Sequence, residues 1–132
     1  MKNILEEIAA RTRERIAKEK SCISVSELEN RIQEVNKNAR QKITFLQALQ
    51  KDGMSYICEV KKASPSKGLI APDFPYLAIA KEYEQAGASA ISCLTEPFYF
   101  QGADQYLREI SAAVQIPVLR KDFTVDEYMI YQ

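Results

Sequence analysis

A chain of 132 residues, 46% of them hydrophobic, has the length of one compact domain and enough apolar side chains to build a core. Its 18 basic and 18 acidic residues cancel, which argues against nucleic acid or an anionic membrane as an electrostatic partner and favours a small anion instead. There is no histidine, so Ser-His-Asp and Cys-His catalysis are excluded, and acid–base work falls to Lys, Glu, Asp, Tyr or Cys.

No apolar run approaches the roughly 20 residues that a membrane-spanning helix needs. The start, Met1-Lys2-Asn3-Ile4-Leu5-Glu6-Glu7, is charged where a secretory signal is apolar, so the expected location is the cytoplasm. Cys22, Cys58 and Cys93 are odd in number and widely spaced, and with no histidine beside them they read as reduced structural thiols, with no metal site.

From about Asn3 to Lys18, the residues Ile4, Leu5, Ile8, Ala9, Thr12 and Ile16 recur at three- and four-residue spacing between charges, which predicts an amphipathic helix. Ser26-Glu27-Leu28-Glu29 has the spacing of a capping box, and Leu28, Ile32 and Val35 continue a second helical stripe that Asn36 to Asn38 interrupt. Ile43, Phe45, Leu46 and Leu49 predict a third, short helix ending near Gly53. This helical stretch carries no obvious chemistry and reads as a structural cap.

From Tyr56 the pattern changes to strand, loop, helix, repeated. The first strand is expected over Tyr56 to Lys61. Asp73, Phe74 and Pro75 then set up a helix that runs to Gly87, a natural stop. Ala90 to Thr95 is a continuous apolar run and the second strand; a loop from Glu96 to Gly102 leads to a helix from about Ala103 to Val114. Ile116 to Lys121 is the third strand, and another helix is expected to start at Val125.

Units of roughly 30 residues are the length of a βα repeat in a parallel sheet. Near-continuously apolar strands imply that both sheet faces are covered. Two α/β architectures fit, an open doubly wound sheet and a (β/α)8 TIM barrel. The loop after the first strand lacks Gly-x-Gly-x-x-Gly, with Gly68 its only glycine, and charged residues stand at the carboxyl ends of strands, Lys61 on the first and Lys121 on the third. Both features favour the barrel. A complete barrel needs about 250 residues, so the expectation is an incomplete one: residues 1–53 as an N-terminal helical extension and 54–132 as the first three βα units. Tyr128 to Gln132 stop inside an apolar helical pattern, which reads as a chain cut short.

Glu59 and Lys61 are two residues apart, so on a strand their side chains project from one face. Taken alone, Lys61 and Lys62 at a strand end read as solvated edge charges, and Phe100 and Phe123 as packing aromatics.

Three segments together resemble the indole-3-glycerol phosphate synthase family: Glu59-Val60-Lys61-Lys62-Ala63-Ser64-Pro65-Ser66-Lys67-Gly68; Ile91-Ser92-Cys93-Leu94-Thr95-Glu96-Pro97-Phe98-Tyr99-Phe100-Gln101-Gly102; and Ile116-Pro117-Val118-Leu119-Arg120-Lys121-Asp122-Phe123. They follow the family's order and spacing behind a helical extension that the family also has. The resemblance covers essentially the whole chain and about the first half of the family's sequence. It implies a (β/α)8-barrel lyase of tryptophan biosynthesis. Such an enzyme closes the indole ring of 1-(2-carboxyphenylamino)-1-deoxyribulose 5-phosphate with loss of carbon dioxide and water, and uses no metal or organic cofactor.

The resemblance also implies roles. Lys121 matches the general acid that protonates the substrate's carbonyl oxygen as the ring closes. Lys61 matches a second active-site lysine, near the substrate's carboxylate and phosphate and active in dehydration. Glu59 matches a glutamate that holds the lysines in place. Ser64 matches a position near the phosphate, and Phe100 and Phe123 match aromatics around the anthranilate ring. Another catalytic glutamate, an asparagine and the phosphate-binding turns belong to the family's later strands. The expectation is therefore a chain that binds its phosphosugar-anthranilate substrate poorly and is inactive alone. The alternative is a non-catalytic partial barrel that self-associates through open strand edges or pairs with a complementary fragment.

Overall fold

The computed structural model describes residues 3–39 and 42–132. In chain order the elements are α1 (Ile4–Cys22), α2 (Val25–Asn38), α3 (Phe45–Leu49), β1 (Ile57–Val60), β2 (Ala63–Ser64), β3 (Gly68–Leu69), α4 (Tyr76–Gln85), β4 (Ala90–Leu94), α5 (Asp104–Ala113), β5 (Val118–Lys121) and α6 (Tyr128–Tyr131). They form two compact units. One takes α1, α2 and the segment Phe123–Gln132; the other is Lys42–Asp122.

In the helical unit, the Asn3 side chain accepts the Leu5 N–H at 3.1 Å to start α1. The buried stripe of α1 is Ile8, Thr12 and Ile16 at four-residue spacing, and the Thr12 hydroxyl donates to the Ile8 carbonyl at 2.9 Å. The cap of α2 is Ser24, not Ser26: its hydroxyl accepts the Glu27 N–H at 3.2 Å. Ser24 and Glu27 have the same Ser-x-x-Glu spacing two residues earlier, directly after α1 stops, so the earlier serine takes the cap. Asn36 to Asn38 do not interrupt α2. They form its last turn, where the Asn38 side chain donates to the Glu34 carbonyl at 3.4 Å.

The final turn, α6, starts at Tyr128 rather than at Val125, and in the bend just before it the Asp126 carboxylate accepts the Tyr128 N–H at 2.9 Å. Tyr128 and Met129 pack with Ile16 and Leu28, and the Tyr128 hydroxyl donates to the Ile23 carbonyl at 2.9 Å. Lys20 pairs with Asp126 at 2.6 Å.

In the second unit, β1, β4 and β5 form a parallel sheet in that order, with Ile57 opposite Ala90 and Ile91 opposite Val118. Strand order follows chain order, and α4 and α5 share one face. Val60, Ile91 and Cys93 from the strands make a single core with Ala80 of α4 and Ile110 and Val114 of α5. A doubly wound sheet would reverse its strand order and divide its helices between two faces; this sheet does neither.

The expectation that both faces are covered holds only for β4, whose five residues are all buried. On the second face Ile57 of β1 and Leu119 of β5 are close to half exposed. Helices α4 and α5 both cross on the first face, so neither covers these two outer-strand residues on the second.

Two side chains missing from the sequence reading tie the loops of this unit. The Glu84 carboxylate accepts the N–H groups of Gln115 and Ile116 at 2.6 and 3.1 Å, which delays β5 to Val118. Lys42 donates to the carbonyls of Ser111 and, at 2.8 Å, Val114, satisfying the open end of α5. No helix among the described residues is long and apolar enough to cross a membrane.

Candidate active site

Period-two alternation puts Ile57 and Glu59 of β1, Ala90, Ser92 and Leu94 of β4, and Leu119 and Lys121 of β5 on the face away from α4 and α5. Registry sets Glu59 beside Ser92, and Lys121 beside Leu94. The charged members of the set therefore gather where the strands end.

Glu59 is the hub. One carboxylate oxygen, Oε1, lies 3.1 Å from Lys61 Nζ, and Oε2 lies 2.8 Å from Lys121 Nζ. The hydroxyl of Ser92 donates to Oε2 at 3.3 Å. Burial pushes the Glu59 carboxyl upward, but the hydrogen bonds and charges of Lys121 and Lys61 outweigh it and hold the group below its ordinary value. Glu59 is thus an anion at neutral pH, fitted to accept and to orient. The Lys121 side chain is 54% exposed, so its ammonium has a solvent-facing side from which to meet a ligand.

The main chain under these groups is held from the helix side. The Tyr83 hydroxyl of α4 donates to the Glu59 carbonyl at 3.1 Å. At β5, the Thr95 N–H donates to the Lys121 carbonyl at 3.0 Å, and the Thr95 hydroxyl donates to Asp122 at 2.8 Å. Arg120 points to the opposite face from Lys121 and lies 3.3 Å from Asp104 and 3.7 Å from Asp122, whose side chain is fully buried. This network fixes both neighbours of Lys121 in the chain.

Ser64 is buried, and its hydroxyl accepts the Lys67 N–H at 3.2 Å. The Ser-Pro segment is not an irregular loop but a small hairpin, β2 with β3, closed at Gly68 with φ +64. Phe100 is half-buried in the loop after β4. The structure thus brings Glu59, Lys61 and Lys121 into direct contact and gives Ser64 a turn-closing bond. Phe123 falls in the helical unit.

Sequence reading missed Ser92, hidden inside an apolar run; its signal was a polar residue on the strand next to Glu59. It also missed Glu96, a fully buried carboxylate at the end of the same strand. Burial, with Asp104 nearby, pushes the Cys93 thiol up to about 12, so this cysteine is a packing group.

A parallel α/β sheet wound in one direction, with its ionic groups at the carboxyl ends of the strands, belongs to the class of βα-repeat chains that place their sites there. Comparison with known proteins narrows the class. The family model for indole-3-glycerol phosphate synthase matches residues 5–132. Curated proteins of that name from Lacticaseibacillus paracasei and Ruminiclostridium cellulolyticum are 53% and 51% identical over 129 and 130 residues, each alignment covering 98% of this chain and 49% of the relative. The chain belongs to the indole-3-glycerol phosphate synthase family, a family of TIM barrels, and spans about half the length of the curated relatives it matches.

Proposed function

We propose that the protein is a cytoplasmic carboxy-lyase of tryptophan biosynthesis, closing the indole ring of 1-(2-carboxyphenylamino)-1-deoxyribulose 5-phosphate. The observation that carries this reading is the single carboxylate of Glu59 holding Lys61 on one oxygen and Lys121 on the other. Family membership supplies the reaction.

In this reading the aromatic carbon that bears the carboxylate attacks the ketone carbon of the sugar chain. Its electrons come from the ring, and the ketone oxygen gathers the negative charge. Lys121 donates a proton to that oxygen, which becomes a hydroxyl. Loss of carbon dioxide returns the electron pair to the ring, and loss of that hydroxyl together with a proton from the neighbouring carbon that carries the nitrogen, as water, forms the last double bond. Lys61 pairs with the substrate's carboxylate or phosphate and assists the departure of water. Glu59 stays ionised, limits the repulsion between the two ammoniums and aims them. Ser64 and the hairpin N–H groups stand near the phosphate, and Phe100 lies against the anthranilate ring; Phe123 has its place here on sequence resemblance alone.

Residues 1–53 then correspond to the family's helical extension and 54–132 to the first part of its barrel. The 132 residues by themselves turn over little or no substrate and self-associate, a reading supported by the half-exposed Ile57 and Leu119 and by coverage of about half of each relative. Joined to the remaining half of the Lacticaseibacillus paracasei relative, the chain is expected to convert the anthranilate-ribulose phosphate to indole-3-glycerol phosphate, followed by indole fluorescence. A soluble joined protein that forms no product contradicts the proposed reaction, and turnover by the 132 residues alone contradicts the need for the other half.

A further inference from the structure

We propose that Glu96 is a positioning residue whose buried carboxylate fixes the loop that carries Phe100. Glu96 lies two residues past the end of β4 and is 1% exposed. Its side chain folds back onto its own loop. Oε1 accepts the Phe98 N–H at 3.0 Å, while Oε2 accepts the N–H groups of Tyr99 and Phe100 at 2.7 and 3.0 Å. A carboxylate is an acceptor with no donor of its own, so three converging N–H groups suit its ionised form, and bonds to an ionised acceptor are stronger than neutral ones.

The far end of the loop is closed by main chain. Gly102 donates its N–H to the Glu96 carbonyl at 2.8 Å. A methyl group on Gly102 would lie 2.4 Å from the Leu94 carbonyl oxygen, so the returning chain passes against the end of β4 where only glycine fits. Between these ties Gln101 takes φ 50, the only positive φ at a non-glycine position among the described residues. A conformation of that kind persists where its surroundings over-determine it, and the Glu96 clamp with the Gly102 contact does so.

The proposed chemistry gives Glu96 no part, since its oxygens are turned away from solvent and engaged by the main chain. What it controls is direction: the backbone of Phe98, Tyr99 and Phe100 is set before any ligand arrives. The clamp is a property of the fold and stands on geometry. That Phe100 thereby meets a substrate ring rests on the proposed function.

Amide hydrogen exchange, read by NMR on the whole 132-residue chain, separates this role from a general contribution to stability. Glu96→Gln keeps the shape but turns one acceptor oxygen into a donor facing N–H groups. The expected result is exchange faster by about tenfold or more at Phe98, Tyr99 and Phe100, with Ser92 and Cys93 of β4 and Ile110 of α5 unchanged. Unchanged loop rates overturn the proposal, as does equal acceleration in loop, β4 and α5. Should the variant not fold, the unsubstituted chain decides: the three amides must exchange at least about tenfold slower than in an unstructured peptide, and exchange at the peptide rate overturns the clamp. Loop exchange of the expected kind with no Lys121-dependent product formation would leave the clamp standing and remove the substrate role of Phe100.

Discussion

Glu59 carries two ammonium groups on one carboxylate, and the acid response of the protein records that arrangement. Its folded value lies below the ordinary 4.5, so the ionised group adds stability that is complete above the unfolded value and is lost as pH falls through the folded one. Glu59→Gln has no such group to titrate. The melting temperature of the unsubstituted chain is therefore expected to exceed that of Glu59→Gln at about pH 7, and the gap to close as pH drops below about 4. A gap that stays constant down to about pH 3 contradicts the pairing.

Much of this site was legible, because Glu59 and Lys61 differ by the two residues that keep a strand's side chains on one face. That Lys121 reaches the same carboxylate was implied only by the family resemblance, because the strand register that brings it there is not encoded in any short sequence pattern. Ser92 was hidden for the same reason, and Glu96 because a carboxylate bound by its own loop's N–H groups looks in sequence like any surface acid.

At the scale of elements, local chemistry sets the boundaries. Helix α4 ends as the sequence expects: Gly87 takes φ +93, and the Ala88 N–H donates to the Tyr83 carbonyl at 3.0 Å. Gly87→Ala finds open space around its methyl group but a strained backbone, so we expect a loss of about 1 kcal/mol in denaturant unfolding with an unchanged slope. An unchanged midpoint contradicts the helix-stop role.

Boundaries set by distant partners were not legible. The start of β5 depends on Glu84, and the end of α5 depends on Lys42, both far away in sequence. The β2–β3 hairpin was missed because its paired segments are two residues each, shorter than any periodicity can register.

At the scale of the molecule, the alternation of strands and helices gave the α/β class, and the missing glycine fingerprint favoured a barrel over a doubly wound sheet. The one-directional strand order and the single helical face agree with that choice. The second face of the sheet behaves differently from the expectation because continuous apolar strands report burial without saying what provides it. Ile57 and Leu119, 49% and 45% exposed there, are expected to drive association. The 132-residue chain should elute from gel filtration larger than a monomer at tens of micromolar, and Ile57→Lys with Leu119→Glu should return it toward monomer. A unsubstituted chain that is monomeric with sharp thermal unfolding contradicts this expectation.

The central claim is that Lys121, held on Glu59, delivers the proton that completes ring closure. It is tested most directly by the turnover of the joined protein described above, with and without Lys121→Ala. The account predicts that the substitution lowers kcat by about a thousandfold with KM changed far less, the size expected for removing a general acid. Equal kcat in the two proteins would contradict it.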